Sequence, residues 1–116
     1  MDQQGVFTLP PNINFGVVAF ANSSIAQSIT IAVDGQVKAT YKGSGASDVL
    51  LGNGVFNSGA GRVQVTVTTG DKQTPSTLLS TQIILADRLN FGLVIGEEGP
   101  DGDGNDSVLS LNWPLG

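Results

Sequence analysis

The chain has 116 residues, enough for one domain with one core, and ten acidic against five basic side chains give it a net charge of −5. It contains neither cysteine nor histidine, which excludes disulfides, thiolate and imidazole catalysis, and metal sites built from those side chains. The basic residues are scattered rather than clustered, so we expect no nucleic-acid partner, and the chemistry left to the chain is that of carboxylates, hydroxyls and amides.

The first residues, MDQQGVFTLPP, have neither a basic start nor an apolar core and do not resemble a conventional signal peptide. Apolar runs elsewhere are far shorter than a membrane span, so no direct membrane insertion is expected. We therefore expect a protein that is cytoplasmic as synthesised, and that reaches the cell surface or medium, if at all, by a route without such a signal.

Alternating apolar and polar residues predict β-strands from one end of the chain to the other. Bulky residues occupy the odd positions of Ile29–Val33 and again of Leu109–Trp113, and Asp34-Gly35 suits a two-residue hairpin turn. The predicted strands lie near residues 5–9, 15–21, 27–34, 36–42, 48–56, 62–69, 77–86, 88–96 and 106–113. Since no segment carries a convincing helical pattern, residues 1–116 are predicted to form a single all-β domain, an antiparallel two-sheet β-sandwich of about nine strands.

Half of the acidic residues fall in one glycine-rich stretch, Glu97–Ser107, with the sequence EEGPDGDGNDS. Two carboxylates about 5 Å apart repel by roughly 1 kcal/mol in water and several-fold more near a protein surface. A folded segment that gathers them needs compensating positive charge. Calcium takes six to eight oxygen ligands at about 2.3–2.6 Å and tolerates irregular geometry, whereas magnesium keeps its waters. The stretch therefore predicts calcium, and its many carboxylates favour two ions over one.

Two other interpretations of this stretch are an EF-hand calcium loop and a solvated turn. An EF-hand loop is excluded, because Asp106 stands where that loop needs glycine and no glutamate follows at the twelfth position. A connection rich in Asp, Gly and Asn is often only a solvated turn. The additional Glu97 and Glu98 favour the metal site, because a solvated turn has no need of so many carboxylates.

Several segments together with the acidic stretch resemble a known family over essentially the whole chain. They read QGVFTLPPNINFGVVAFANSS, VFNSG, LNFGLV and NDSVLSLNWPLG. The chain resembles the LecB-like calcium-dependent fucose- and mannose-binding lectins of bacteria. The resemblance implies a nine-stranded sandwich, a homodimer that assembles into a homotetramer, and two adjacent Ca²⁺ ions per subunit that coordinate hydroxyls of one monosaccharide.

The resemblance also assigns metal ligands. They are Glu97, Asp101, Asp103 and Asp106 for the first ion, and Asn22, Asp103, Asn105 and Asp106 for the second. Asn22 is expected to act through its backbone carbonyl, and Asp103 and Asp106 to bridge the ions. The α-carboxylate of Gly116 from the neighbouring subunit is expected to enter the same site.

The segment Asn22-Ser23-Ser24-Ile25 corresponds to the part of the family that sets sugar preference. The residues expected at the sugar are Asn22, Ser23, Ser24, Glu98, Asp101, Asp103, Asp106 and Gly116. Family members that prefer mannose tend to have alanine in place of Ser23, so the resemblance favours L-fucose, with D-mannose also bound. Glu98 replaces a shorter aspartate and Ile25 a small or polar residue, and both departures bear on this preference.

Two other functions compete with a lectin. A glycosidase could use Glu97 and Asp101 as acid and base, but carboxylates saturated by calcium are poor proton donors, so we expect no enzyme. A calcium-stabilised structural or adhesin β-sandwich would bind the ions without coordinating sugar directly. Stabilisation by free fucose or mannose in the presence of calcium would distinguish the lectin from this alternative.

Overall fold

The computed structural model describes residues 3–97 and 106–115, and within these residues the regular structure is β-strand throughout. The strands are β1 (Val6–Thr8), β2 (Asn14–Val33), β3 (Gln36–Asn57), β4 (Arg62–Thr69), β5 (Thr74–Pro75), β6 (Thr77–Leu85), β7 (Leu89–Glu97) and β8 (Ser107–Trp113). Every pairing between them is antiparallel, which confirms the predicted fold class. The described part of the chain has no helix long and apolar enough to cross a membrane.

Strand β2 belongs to two layers because it bends near residues 22–26. Before the bend it pairs with the end of β3 and with β8, and after the bend it pairs with the start of β3 and with β4. Strands β7 and β6 extend the first layer, and β1 extends the second. The predicted strands 15–21 and 27–34 are both part of β2, and the predicted strands 36–42 and 48–56 are both part of β3. They are joined because each of these long strands continues across the bend without a turn.

One hydrophobic core fills the space between the two layers. Its buried members come from alternate positions of the strands and include Phe15, Val17 and Leu109 of the first layer and Ile29, Ile31 and Val65 of the second. The ring of Phe7 meets that of Trp113 edge-on, with centroids 6.3 Å apart. Burying each such side chain contributes roughly 1.5–3 kcal/mol. The period-two pattern of Ile29–Val33 and of Leu109–Trp113 thus identified the faces of those two segments that pack inward.

The turn between β2 and β3 lies at the end of the sandwich opposite the bend. Asp34 and Gly35 have φ angles of 52° and 82°, the positive values that a type I′ turn requires at both positions. The Asp34 carboxylate accepts hydrogen bonds from the backbone N–H groups of Ala60, at 2.7 Å, and Arg62, at 3.3 Å. The predicted hairpin turn is confirmed, and it is tied to the chain that enters β4.

The outer surface of β6 and β7 is apolar. Cross-strand partners such as Ile83 with Phe91 and Leu85 with Leu89 project from the same side of the sheet. The exposed fractions on this side are 61% for Leu79, 50% for Ile83, 51% for Leu85, 44% for Leu89, 40% for Phe91 and 40% for Leu93. We call these residues the β6–β7 apolar face. Contiguous apolar patches of this kind mark interaction surfaces in soluble proteins.

Candidate functional site

The predicted ligands Asn22, Glu97 and Asp106 lie side by side at one end of the first layer. In the register of the sheet, Ser107 pairs with Ala21 of β2 and with the residue that precedes Glu97 in β7. One position further toward this end of the sheet, β2 reaches Asn22, β7 reaches Glu97, and the chain entering β8 has Asp106. The backbone N–H of Asn22 donates to the carbonyl oxygen of Asp106 at 2.9 Å. The fold brings Asn22 next to Glu97 and Asp106, although these two residues come much later in the sequence.

Buried negative charge concentrates at this end of the layer. Asp106 is only 2% exposed, and the Oε1 atom of Glu97 is inaccessible to solvent. A carboxylate removed from water is costly unless hydrogen bonds or a cation offset its charge. The donors are oxygen atoms alone, which is the ligand chemistry that a hard dication such as Ca²⁺ prefers. The residues present therefore fit the predicted metal.

The remaining predicted ligands lie outside the described residues. They are Asp101, Asp103, Asn105 and Gly116, and the predicted sugar-binding residue Glu98 also lies there. Within residues 3–97 and 106–115, no three acidic side chains come together closely enough to hold a metal ion by themselves. The assignments that rest on those five residues stay predictions.

The bend of β2 forms the second part of the site, and we call Ser23–Ala26 the bend segment. Its last three residues lie opposite a single residue of β3, so the chain bulges out of the ladder. Ser23 is buried, and its Oγ accepts a hydrogen bond from the Ile25 backbone N–H at 3.0 Å. The carbonyl of Ala26 accepts another from the N–H of Gly70 at 2.9 Å. These bonds hold the bend segment in place although it has left the ladder.

The outward side of the bend segment differs from its inward side. Ser24 is exposed, and Ile25 is 48% exposed. Ile25 forms one wall of an open depression of about 400 Å³ beside the predicted sugar site. The other residues lining it are Thr69, Gly70, Asp71, Lys72, Thr74 and Pro75. Ile25, which stands where the resemblance implies a small or polar residue, thus adds an apolar side chain to the wall of this depression.

Asp48 is a neighbour of the site that the sequence did not reveal. Its backbone N–H donates to Oδ1 of Asn22 at 2.6 Å, and its Oδ1 accepts from Nδ2 of Asn22 at 3.3 Å. Asp48 has a φ of 54°, in the left-handed region that Asp tolerates better than most residues. The two-way hydrogen bond fixes the Asn22 side chain against β3. No motif joins these two positions in the sequence, since the contact arises only from strand pairing.

Comparison with known proteins identifies the family of the chain. The sequence profile of the family described as fucose-binding lectin II (PA-IIL) matches residues 7–115. None of the curated proteins compared with the chain matches it.

Three solved structures are similar to the chain over nearly all of both partners. A high-affinity mannose-binding lectin of Ralstonia solanacearum is 54% identical, with a TM-score of 0.95, covering 99% of this chain and 100% of that one. The Chromobacterium violaceum lectin CV2L, in complex with alpha-methyl-fucoside, is 48% identical, with a TM-score of 0.94 and the same coverage. The C-terminal domain of the BC2L-C lectin from Burkholderia cenocepacia is 43% identical, with a TM-score of 0.90, and 100% of each chain is covered. The resemblance found in the sequence is confirmed, and the chain belongs to the fucose-binding lectin II (PA-IIL) family.

Proposed function

We propose that the protein is a calcium-dependent lectin in which two adjacent Ca²⁺ ions coordinate hydroxyls of one monosaccharide. The observation that carries this proposal is the convergence of Asn22, Glu97 and Asp106 at one end of the first layer. The convergence occurs in a chain of a fucose-binding lectin family, and two similar solved structures are a mannose-binding lectin and a lectin in complex with a fucoside.

In this proposal the ligands of the ions come from several segments of the chain. Glu97 and Asp106 supply carboxylates from the adjacent ends of β7 and β8, and Asp101, Asp103 and Asn105 supply the further oxygens. Asn22 acts through its backbone carbonyl, which is supported by the engagement of its side chain with Asp48. Bound calcium neutralises the carboxylates and offers coordination positions to sugar hydroxyls.

The bend segment provides the sugar preference in this proposal. Its position beside Asn22 and Asp106 puts Ser23 and Ser24 next to the metal ligands. Serine at position 23 favours L-fucose, with D-mannose as a second ligand. Ile25 adds an apolar contact at the rim, which suits the methyl group of fucose or an aglycone better than a hydroxyl.

We propose reversible carbohydrate binding as the activity of the protein, and membership of a carbohydrate-binding family supports this. A glycosidase would have to use Glu97 as one of its two carboxyl groups, and here that side chain is assigned to calcium. A carboxylate bound to a dication is a poor proton donor, so we propose no enzymatic step.

Self-association is the second part of the proposal. The β6–β7 apolar face is supported as the surface that a second copy of this chain covers, because its residues are 40–61% exposed and contiguous apolar patches of this kind mark interaction sites. The face includes β6, which is the edge strand of the first layer, and two copies can pack there about a two-fold axis. A homodimer of this kind is the unit from which the proposed homotetramer is built.

Titration calorimetry with methyl fucoside and methyl mannoside tests the function. Sugar binding should be present with calcium and disappear after chelation, because the hydroxyls bind the ions. Asp106→Asn removes one buried negative charge at constant shape and should abolish both calcium and sugar binding. Asp87→Asn, in the distant β6–β7 turn, is the matched control and should bind normally. Calcium binding that raises the melting temperature with no response to either sugar would instead establish the structural sandwich.

A further inference from the structure

Gln27 is a polar side chain in the inward-facing row of β2. The same row continues with Ile29, Ile31 and Val33, all of them buried, and Gln27 itself is 0% exposed. An amide at such a position is unfavourable unless its donor and acceptor groups are satisfied within the protein. Its hydrogen bonds therefore indicate why glutamine stands there.

The amide of Gln27 joins three separate parts of the fold. Its Oε1 accepts hydrogen bonds from Ser107 Oγ of β8, at 2.6 Å, and from Thr69 Oγ1 of β4, at 3.3 Å. Its Nε2 donates to the backbone carbonyl of Ile25 at 3.0 Å. Thr69 Oγ1 also lies 2.8 Å from Ser76 Oγ, and since the Thr69 proton is directed to Gln27, Ser76 is the donor in that contact. The network spans both layers of the sandwich.

Both ends of this network lie beside the proposed site. Ser107 directly follows Asp106, whose carbonyl accepts the N–H of Asn22. Ile25 lies in the bend segment, and its own N–H is held by Ser23 Oγ. The side chain of Gln27 thus connects the strand end that carries a metal ligand to the segment that carries the sugar preference.

Building on the proposed function, we propose that Gln27 is a positioning residue that couples the bend segment to Asp106. It touches neither the ions nor the sugar. By holding the Ile25 carbonyl and the Ser107 hydroxyl at a fixed separation, it sets the distance between the preference segment and the calcium ligands. Calcium affinity and the fucose-to-mannose affinity ratio both depend on it.

The test compares Gln27→Met, which keeps the side-chain length without the amide, with Ser107→Ala, which removes only the link to β8. The control is Ser58→Ala at the opposite end of the sandwich, because Ser58 is also fully buried and its Oγ bonds to Pro10 and Ile13. All three variants should lower the melting temperature. Gln27→Met loses all three side-chain hydrogen bonds. It should weaken calcium binding by about threefold to tenfold, the range expected when the equivalent of one bond is transmitted to the calcium ligands, and it should shift the sugar ratio. Ser58→Ala should change neither.

A second readout does not depend on any ligand. In calcium-free protein, amide exchange of Ile25 and Gly70, whose N–H groups secure the bend segment, should accelerate in Gln27→Met and in Ser107→Ala but not in Ser58→Ala. Unchanged calcium affinity, sugar ratio and exchange in Gln27→Met would overturn the positioning role. Wild-type protein that binds neither calcium nor sugar would overturn the proposed function instead, and the exchange rates would still decide whether Gln27 holds the segment.

Discussion

The reciprocal hydrogen bonds between Asn22 and Asp48 allow the mode of metal binding at Asn22 to be tested. Asn22→Ala removes both bonds, of 2.6 and 3.3 Å, but keeps the backbone carbonyl. A neutral hydrogen bond contributes about 0.5–1.5 kcal/mol net and a bond to a carboxylate more, but water competes for both partners of Asn22 because Asp48 is exposed, so we take about 0.5 kcal/mol for each bond. The two together are worth about 1 kcal/mol, which corresponds to about fivefold in affinity if all of it is felt at the site.

Competition with a calcium-sensitive dye measures this effect directly. Asn22→Ala should weaken calcium binding by no more than about fivefold, whereas Asp106→Asn should abolish it. The matched control is Asn57→Ala at the end of β3, far from the bend. Asn57 also makes two side-chain hydrogen bonds, of 3.2 Å to Asn12 and 2.9 Å from Gly59. It should lose a similar amount of stability and no calcium affinity. Complete loss of calcium binding in Asn22→Ala would refute the backbone-carbonyl assignment and make the side-chain amide the ligand.

Two further predictions concern preference and assembly. Ser23→Ala should shift the fucose-to-mannose affinity ratio toward D-mannose by about threefold to tenfold, the effect of one hydrogen bond. Calorimetry with both sugars measures this ratio. An unchanged ratio would mean that Ile25 or Glu98 controls the preference. Phe91→Lys puts a charge into the centre of the β6–β7 apolar face and should convert the oligomer to monomer in sedimentation velocity, while Val37→Lys, at a position that is already 66% exposed on another strand, should not. Equal sedimentation of the two variants would place the interface elsewhere.

Local sequence patterns predicted most of the strands because their causes are local. Alternation in Ile29–Val33 reflects one buried and one partly buried face, and Asp34-Gly35 carries its turn geometry in two residues. The joining of the two predicted halves of β2 was not predictable in this way. It depends on β3 pairing with β2 on both sides of the bend, and local sequence patterns do not reveal pairing between distant residues.

In the candidate site, too, local features were predictable from the sequence and contacts between distant segments were not. The acidic stretch was visible because its residues are contiguous, but the partners that orient it are not. Asp48 meets Asn22 only through strand pairing, and Gln27 meets Ser107 only across the core. One signal for Gln27 was nevertheless present in the sequence, since glutamine occupies the same odd-numbered row as the buried residues that follow it in β2. A polar residue at a predicted core position indicates a buried hydrogen-bond network.

The 20 residues of β2 also determine how the molecule can come apart. Separating the two layers requires β2 to give up its pairing with β8 or with β4, because β2 belongs to both layers. Such shared strands favour all-or-none unfolding over the independent loss of one half. A ligand bound at the bend acts on the point where both halves meet. Its binding energy is therefore expected to slow amide exchange throughout the two layers, and not only in the loops that touch it.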